Sequence, residues 1–147
     1  MKAVARITGK TFRTDIRAGI DLEHKLVADE PTDKGGENAG PTAMELLAAA
    51  LGACTVATLR SYANIKGLEL EGVEVDVDVQ RRKPSEQQEA GEGAKATVIR
   101  KKITIKGDKL TNDQRVRMLE IAEKCPVNKA LLEGVDMIKD QGASDLL

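Results

Sequence analysis

The 147-residue chain is nearly devoid of aromatic side chains: Phe12 and Tyr62 stand alone and there is no tryptophan. Its core must therefore be filled by Leu, Ile, Val, Ala and Met. The shortage also removes the stacking platforms on which single-stranded nucleic acids bind. An excess of charge of either sign is missing too. Lys and Arg number 23 against 24 Asp and Glu, a net charge of −1, so no basic field collects phosphates. The one basic run, Arg100-Lys101-Lys102, lies between apolar positions and reads as the solvated part of a strand. Nucleic acid is not an expected partner.

Cysteine and histidine are few. Cys54, Cys125 and His24 sit at no short spacing, so a four-ligand zinc site is excluded, and neither metal nor other cofactor is expected. His24 needs no role beyond that of an exposed strand residue. No apolar stretch reads as long enough to span a bilayer, and the opening MKAVARITGK has no signal-peptide hydrophobic region. The expectation is a cytoplasmic protein with no membrane partner. In a reducing compartment, a pair of cysteines points to redox chemistry more than to a structural staple.

What is present suits one α+β domain spanning 1–147, at 41% hydrophobic and 32% charged. Residues 3–8 and 21–28 read as strands, with a third between them where Phe12, Thr14 and Ile16 alternate with Arg13, Asp15 and Arg17. Residues 29–41, with two prolines and three glycines, read as a loop. There Asp29 and Glu30 are turn formers, and Gly35-Gly36 matches no phosphate-binding spacing. From Thr42 to Lys66 the pattern is helical, with Thr42 and Glu45 as a capping box and Gly67 as the closing glycine. Leu47, Leu51, Cys54, Thr58, Tyr62 and Ile65 form its expected apolar stripe. Its alanine-rich flanks predict burial nearly all round.

Val73, Val75, Val77 and Val79 alternate with polar residues, which predicts a half-buried strand. A polar loop over 83–95 and a strand over 96–106 complete a hairpin, with Val98, Ile103 and Ile105 as its apolar positions. Thr111 and Gln114 cap a further helix, whose apolar face is Val116, Leu119, Ile121 and Ala122. Pro126 starts a short helix, and Val135, Met137 and Ile138 suggest a last strand. The order is β-β-β-α-β-β-α-α-β, with helices packed on antiparallel sheet.

Each cysteine has an ordinary reading as a small buried hydrophobe. Cys125, just before Pro at a helix start, also faces unpaired backbone N–H groups and the positive end of a helix dipole, which favour thiolate. The two lie 71 residues apart. Both are on helices that must meet the same sheet, so contact is permitted but not required.

The stretch DEPTDKGGENAGPTAMELLAAALGACTVATLRSYANIKGLEL and the later EKCPVNKALLEG resemble the OsmC/Ohr family. Its pattern is an Asp-Glu-Pro and Gly-Gly loop, a Gly-Pro entry to a long helix, a mid-helix Cys, and Cys-Pro some seventy residues on. The resemblance implies an OsmC-like fold in which antiparallel sheets surround a long central helix, with intertwined homodimers whose sites draw on both chains. It also implies thiol-dependent reduction of organic hydroperoxides, and of hydrogen peroxide as a further candidate. Cys54 would form a sulfenic acid, Cys125 would resolve it as a disulfide, and a lipoyl-type or other dithiol would restore both.

Family members hold the attacking thiolate with an N-terminal Arg. Arg13 or Arg17 could serve, and Arg13 is the better placed. Organic hydroperoxide resistance members also carry a catalytic Glu at the position of Met44. Glu45 precedes Cys54 by nine residues, about 900° of helix, so it faces away and caps instead. That arrangement resembles the broader OsmC-like branch. The alternative is a stress protein on the same scaffold that binds an apolar small molecule in the dimer groove, with incidental cysteines.

Overall fold

The structure, a computed structural model, describes residues 1–138. The chain runs β1 (Lys2–Ile7), β2 (Thr14–Gly19), β3 (His24–Ala28), a 3-10 turn (Thr32–Lys34) and α1 (Ala43–Lys66). After it come β4 (Gly72–Arg81), α2 (Pro84–Glu89), β5 (Thr97–Lys106), α3 (Asn112–Ala122) and α4 (Pro126–Glu133). Two compact units share these elements: Met1–Ala53 with Val75–Thr104, and Cys54–Glu74 with the chain from Ile105. The chain passes between units inside α1 and inside both strands of the hairpin.

In the first unit β1, β2 and β3 form an antiparallel sheet in sequence order, with Ile16 opposite Ala5 and Leu26. Ala28, Asp29 and Leu51 are its buried residues, and Ile7, Phe12, Ile20 and Leu26 remain exposed. The 29–41 segment is built around the Asp29 carboxylate. It accepts backbone N–H groups of Glu30 at 2.8 Å, Glu37 at 3.0 Å and Ala39 at 3.1 Å. Those bonds, Ala39's foremost, hold its carboxyl below the ordinary 3.8 against the opposing effect of burial, and Arg13 adds a smaller pull in the same direction. Two glycines are required by space: a Cβ on Gly36 would lie 1.8 Å from the Glu30 carbonyl oxygen, and one on Gly40 2.3 Å from that of Val27.

The segment delivers the chain to α1, whose start is the expected capping box. Thr42 Oγ1 accepts the Glu45 N–H at 3.3 Å, and Glu45 Oε2 accepts the Thr42 N–H at 2.7 Å. The Thr42 N–H, and after it the Thr42 hydroxyl donating to Glu45 Oε2 at 3.0 Å, hold the Glu45 carboxyl below its usual value. Gly67 ends the helix at φ +62°. Its N–H donates to Asn64 and that of Leu68 to Ala63, two bonds that satisfy carbonyls left open by the last turn.

Burial along α1 departs from expectation. The buried row is Leu51, Thr55, Leu59 and Ala63, while Cys54, Thr58 and Tyr62 are half-buried and Ile65 is 78% exposed. A helix of alanines and leucines nearly all round carries little phase information, so packing, not periodicity, chooses the buried row. Ala49, Ala50, Ala53 and Ala57 are exposed, contrary to burial nearly all round. By length and composition alone α1 could also cross a membrane, against the expectation that no stretch could.

The hairpin forms as expected, and Val73, Val75, Val77 and Val79 are half-buried. A Cβ on Gly52 of α1 would lie 3.6 Å from Val77 Cγ2, so helix and strand approach closely there. Arg100 and Lys102 are solvated, but Lys101 is half-buried on the face of Ile99, Ile103 and Ile105. The 83–95 connection holds α2, which period-two and heptad patterns do not reveal.

The second unit holds most of the fully buried side chains. Leu59, Ala63, Leu70, Leu110, Met118, Ala122 and Cys125 are all buried. On α3 the inward register is Met118 and Ala122, and Val116 (58%) and Leu119 (44%) are exposed. Arg115 enforces that rotation by donating to the carbonyls of Ile105 at 2.7 Å and Gly107 at 2.6 Å. The expected last strand does not form: 134–138 carries no regular structure among the described residues.

Candidate redox site

Both cysteines lie in the second unit, and both are free thiols. Cys54 is half-buried in the middle of α1, and Cys125 is wholly buried at the start of α4. This corrects one expectation, since the buried thiol is Cys125 and Cys54 retains access to solvent. The chain turns sharply before Cys125, where the N–H groups of Lys124 and Cys125 fold back on Ile121 and Ala122. Pro126 then supplies the first helical residue with φ already suited to a helix.

Cys125 is itself the N-cap of α4. Its Sγ accepts the backbone N–H of Asn128 at 3.3 Å, the bond a Ser or Asp oxygen customarily accepts. A sulfur in that position sits on unsatisfied N–H groups at the positive helix end, as its place before Pro126 predicted. The side chain of Asn128 completes the turn, donating to the Glu123 carbonyl at 2.9 Å and to Glu123 Oε2 at 3.3 Å.

Across from that cap stands α1. Thr55 Oγ1 and Cys125 Sγ lie 3.6 Å apart, a hydrogen bond at sulfur's larger radius, and both residues are fully buried. Thr55 follows Cys54 directly, about 100° further round the same turn. The structure thus sets Cys125 against the neighbour of Cys54. Sequence reasoning passed over Thr55 and Asn128. A threonine in an apolar helix draws no notice, although Thr55 is spaced four from both Leu51 and Leu59. Asn128, three residues past a cap without oxygen, was the other available signal.

The remaining candidates belong to the first unit. Arg13 precedes β2 and pairs with Asp15 at 3.7 Å on the surface, and Arg17 is exposed within β2 opposite Lys25. Glu45 is committed to capping α1. Met44 lines a cavity of about 520 Å³ with Val79, Gln80, Arg81, Ala96 and Thr97.

A family model described as OsmC-like protein matches residues 35–138, which takes in both cysteines and Thr55. The chain belongs to the OsmC-like family. Solved structures agree in fold. An organic hydroperoxide resistance protein OsmC from Legionella pneumophila is 24% identical, with TM-score 0.62 over 92% of this chain and 93% of that one. The organic hydroperoxide resistance protein OhrB of Bacillus subtilis is 20% identical, with TM-score 0.59 over 92% of each. An osmotic stress induced and detoxification response protein from Psychrobacter arcticus 273-4 is 18% identical, with TM-score 0.69 over 88% of this chain and 87% of that one. At these identities the likeness is one of fold, an α+β architecture of antiparallel sheets and a long helix. A comparison with curated proteins found no match. OsmC-like and Ohr proteins are generally homodimers, and generally soluble bacterial proteins.

Proposed function

We propose that this OsmC-like protein is a cytoplasmic hydroperoxide reductase in which Cys54 attacks and Cys125 resolves. The carrying observation is the pair of free thiols, with Cys125 bonded to the residue that follows Cys54. The Cys54 thiolate attacks the terminal oxygen of an organic hydroperoxide; the S–O bond forms, the O–O bond breaks, the terminal OH stays on sulfur as a sulfenic acid, and the alkoxide takes a proton from solvent to leave as the alcohol. Cys125 then attacks that sulfur; the S–S bond forms, the S–O bond breaks, and water departs. An external dithiol of lipoyl type returns both thiols by exchange and is itself oxidised to a disulfide. Hydrogen peroxide would enter by the same route, releasing water in place of the alcohol.

Exposure supports that order, since the attacking sulfur must meet substrate and Cys54 is the accessible one. Thiolate at Cys54 needs a cation, and Arg13 of a second copy is the candidate. Its ion pair with Asp15 is exposed on both sides, and such pairs are worth little, so the guanidinium is available. A homodimer would also cover the exposed alanine face of α1 and the apolar residues of β1–β3.

The test is intact mass and thiol titration after one equivalent of cumene hydroperoxide. The natural protein should lose both thiols and gain no oxygen. Cys125→Ser should leave a trappable sulfenic acid on Cys54 that overoxidises in excess peroxide. Cys54→Ser should consume peroxide no faster than free cysteine. The opposite pattern reverses the roles. If neither substitution matters, the second reading takes over: an apolar molecule held by the protein, for which the Met44 cavity is the observed space.

A further inference from the structure

Thr55 is the least expected member of the site. It is polar, fully buried, and sits on the row of α1 that otherwise consists of Leu51, Leu59 and Ala63. A hydroxyl there costs free energy unless it is hydrogen-bonded, and an alanine or valine would fill an apolar row at no such cost. Its bond to Cys125 Sγ joins the middle of α1 to the cap of α4. A second bond, from the Asn128 N–H, reaches the same sulfur from the α4 side. The sulfur is thus held from two directions at the level of the Cys54 turn.

The geometry points to Thr55 as the positioning residue for the resolving step: its hydroxyl keeps the Cys125 sulfur beside the turn of α1 that carries Cys54. This rests on the hydroperoxide-reductase reading. Resolution is a race, because a sulfenic acid that is not intercepted meets a second peroxide and becomes a sulfinic acid. Interception gains from a sulfur already held near its attack position, since orientation then need not be found within the lifetime of the intermediate. The chemical balance is unchanged: Cys125 gives up its proton, Cys54 loses hydroxide, and the two leave as water. Thr55 neither gains nor loses a bond to the reacting atoms; it sets where one of them waits. The Asn128 contact caps α4 from its own side, whereas the Thr55 contact reaches the sulfur from α1.

The experiment separates hydroxyl from shape. Thr55→Val keeps the branched outline and removes the oxygen, while Thr55→Ser keeps the oxygen and removes a methyl. Each variant is first checked for the natural protein's fold by thermal melting, and Thr55→Ala replaces Val should Val not fold. After one equivalent of cumene hydroperoxide, disulfide closure is followed by quenched-flow mass analysis, with a dione trap reporting the Cys54 sulfenic acid. Thr55→Val should form that adduct normally and then close the disulfide roughly three- to tenfold more slowly, the range one hydrogen bond commands. Overoxidised Cys54 should rise in step with excess peroxide. Thr55→Ser should close at close to the natural rate. Closure in Thr55→Val at the natural rate, or a Ser variant as slow as Val, overturns the assignment while the reductase reading stands. A natural protein that forms neither the disulfide nor an adduct on Cys54, with no adduct in Cys125→Ser either, overturns both.

Discussion

Segments 29–41 and 83–95 are both polar, glycine-containing connections in the first unit, and as strings of residues they look interchangeable. Their anchoring differs. The first is wound about a buried carboxylate, with Asp29 drawing in three N–H groups from positions up to ten residues away. The second satisfies itself. Glu86 Oε2 accepts the Lys83 N–H at 2.9 Å, Gln87 Nε2 donates to Ala94 at 2.8 Å, and Arg82 donates its N–H to Ala96 at 2.8 Å. Its glycines, Gly91 and Gly93, have open space where a Cβ would go, and only their positive φ asks for glycine. A buried charge at the base turns a loop into part of the scaffold. Without one, the loop is an appendage to its strands.

Adding one methyl to each segment should separate the two most widely. Gly36→Ala places a Cβ against the Glu30 backbone, which cannot swing aside as a side chain would. The expected cost is about 3 kcal/mol, or a melting temperature lower by roughly 6–12 °C, since overpacking typically reaches that range. Gly91→Ala meets no atom and pays only for its left-handed φ, about 1–2 kcal/mol. Paired thermal melts check the order. Equal losses would mean that the first segment yields as easily as the second.

Asp29→Asn should come next. The amide keeps the shape but offers one oxygen where the carboxylate uses two, so at least one of three N–H groups loses its acceptor. Stability at neutral pH should fall, although by less than in Gly36→Ala. The pH dependence follows from the direction of the shift. Because the folded carboxyl is held below the ordinary value, its contribution is complete above 3.8 and fades as pH falls through the lower folded value. The gap between natural protein and variant should thus stay constant from neutrality down to 3.8 and narrow below it. Melts across an acid series measure it. A gap that stays level into strong acid would show that the charge of Asp29 is not what organises the segment.

The same contrast explains what could be read from the residues in advance. Signals carried by residues within four positions of one another were legible: the Thr42–Glu45 and Thr111–Gln114 boxes, the Gly67 ending, the valine alternation of β4, and Pro126 opening α4 behind Cys125. Features chosen by distant partners were not. The α1 row that packs, the Met118–Ala122 register and the place of Lys101 depend on what each element meets. Val135 and Ile138 have strand-forming side chains, yet 134–138 joins no strand among the described residues. Both cysteines stood out because the family pattern marks them. Thr55 did not, since its meaning lies in a sulfur seventy residues away.

The smallest expected effect comes from removing the self-contained segment. Replacing residues 83–95 by a four-residue turn deletes α2 and the Gln87–Ala94 bond, which link the segment only to itself. The guanidinium bond of Arg82 to the Lys95 carbonyl, at 2.9 Å, goes with it and is solvent-exposed. What must survive is the Arg82–Ala96 backbone bond that closes the hairpin, and a turn with glycine where φ is positive can span it. Closing a four-residue loop in place of thirteen gains about 1 kcal/mol of chain entropy, which offsets much of the loss of one short helix. The net change in melting temperature should fall within a few degrees, and peroxide consumption per cysteine pair should be unaltered. A fall as large as that of Gly36→Ala would place this segment in the scaffold beside the Asp29 loop, and the distinction between the two would be gone.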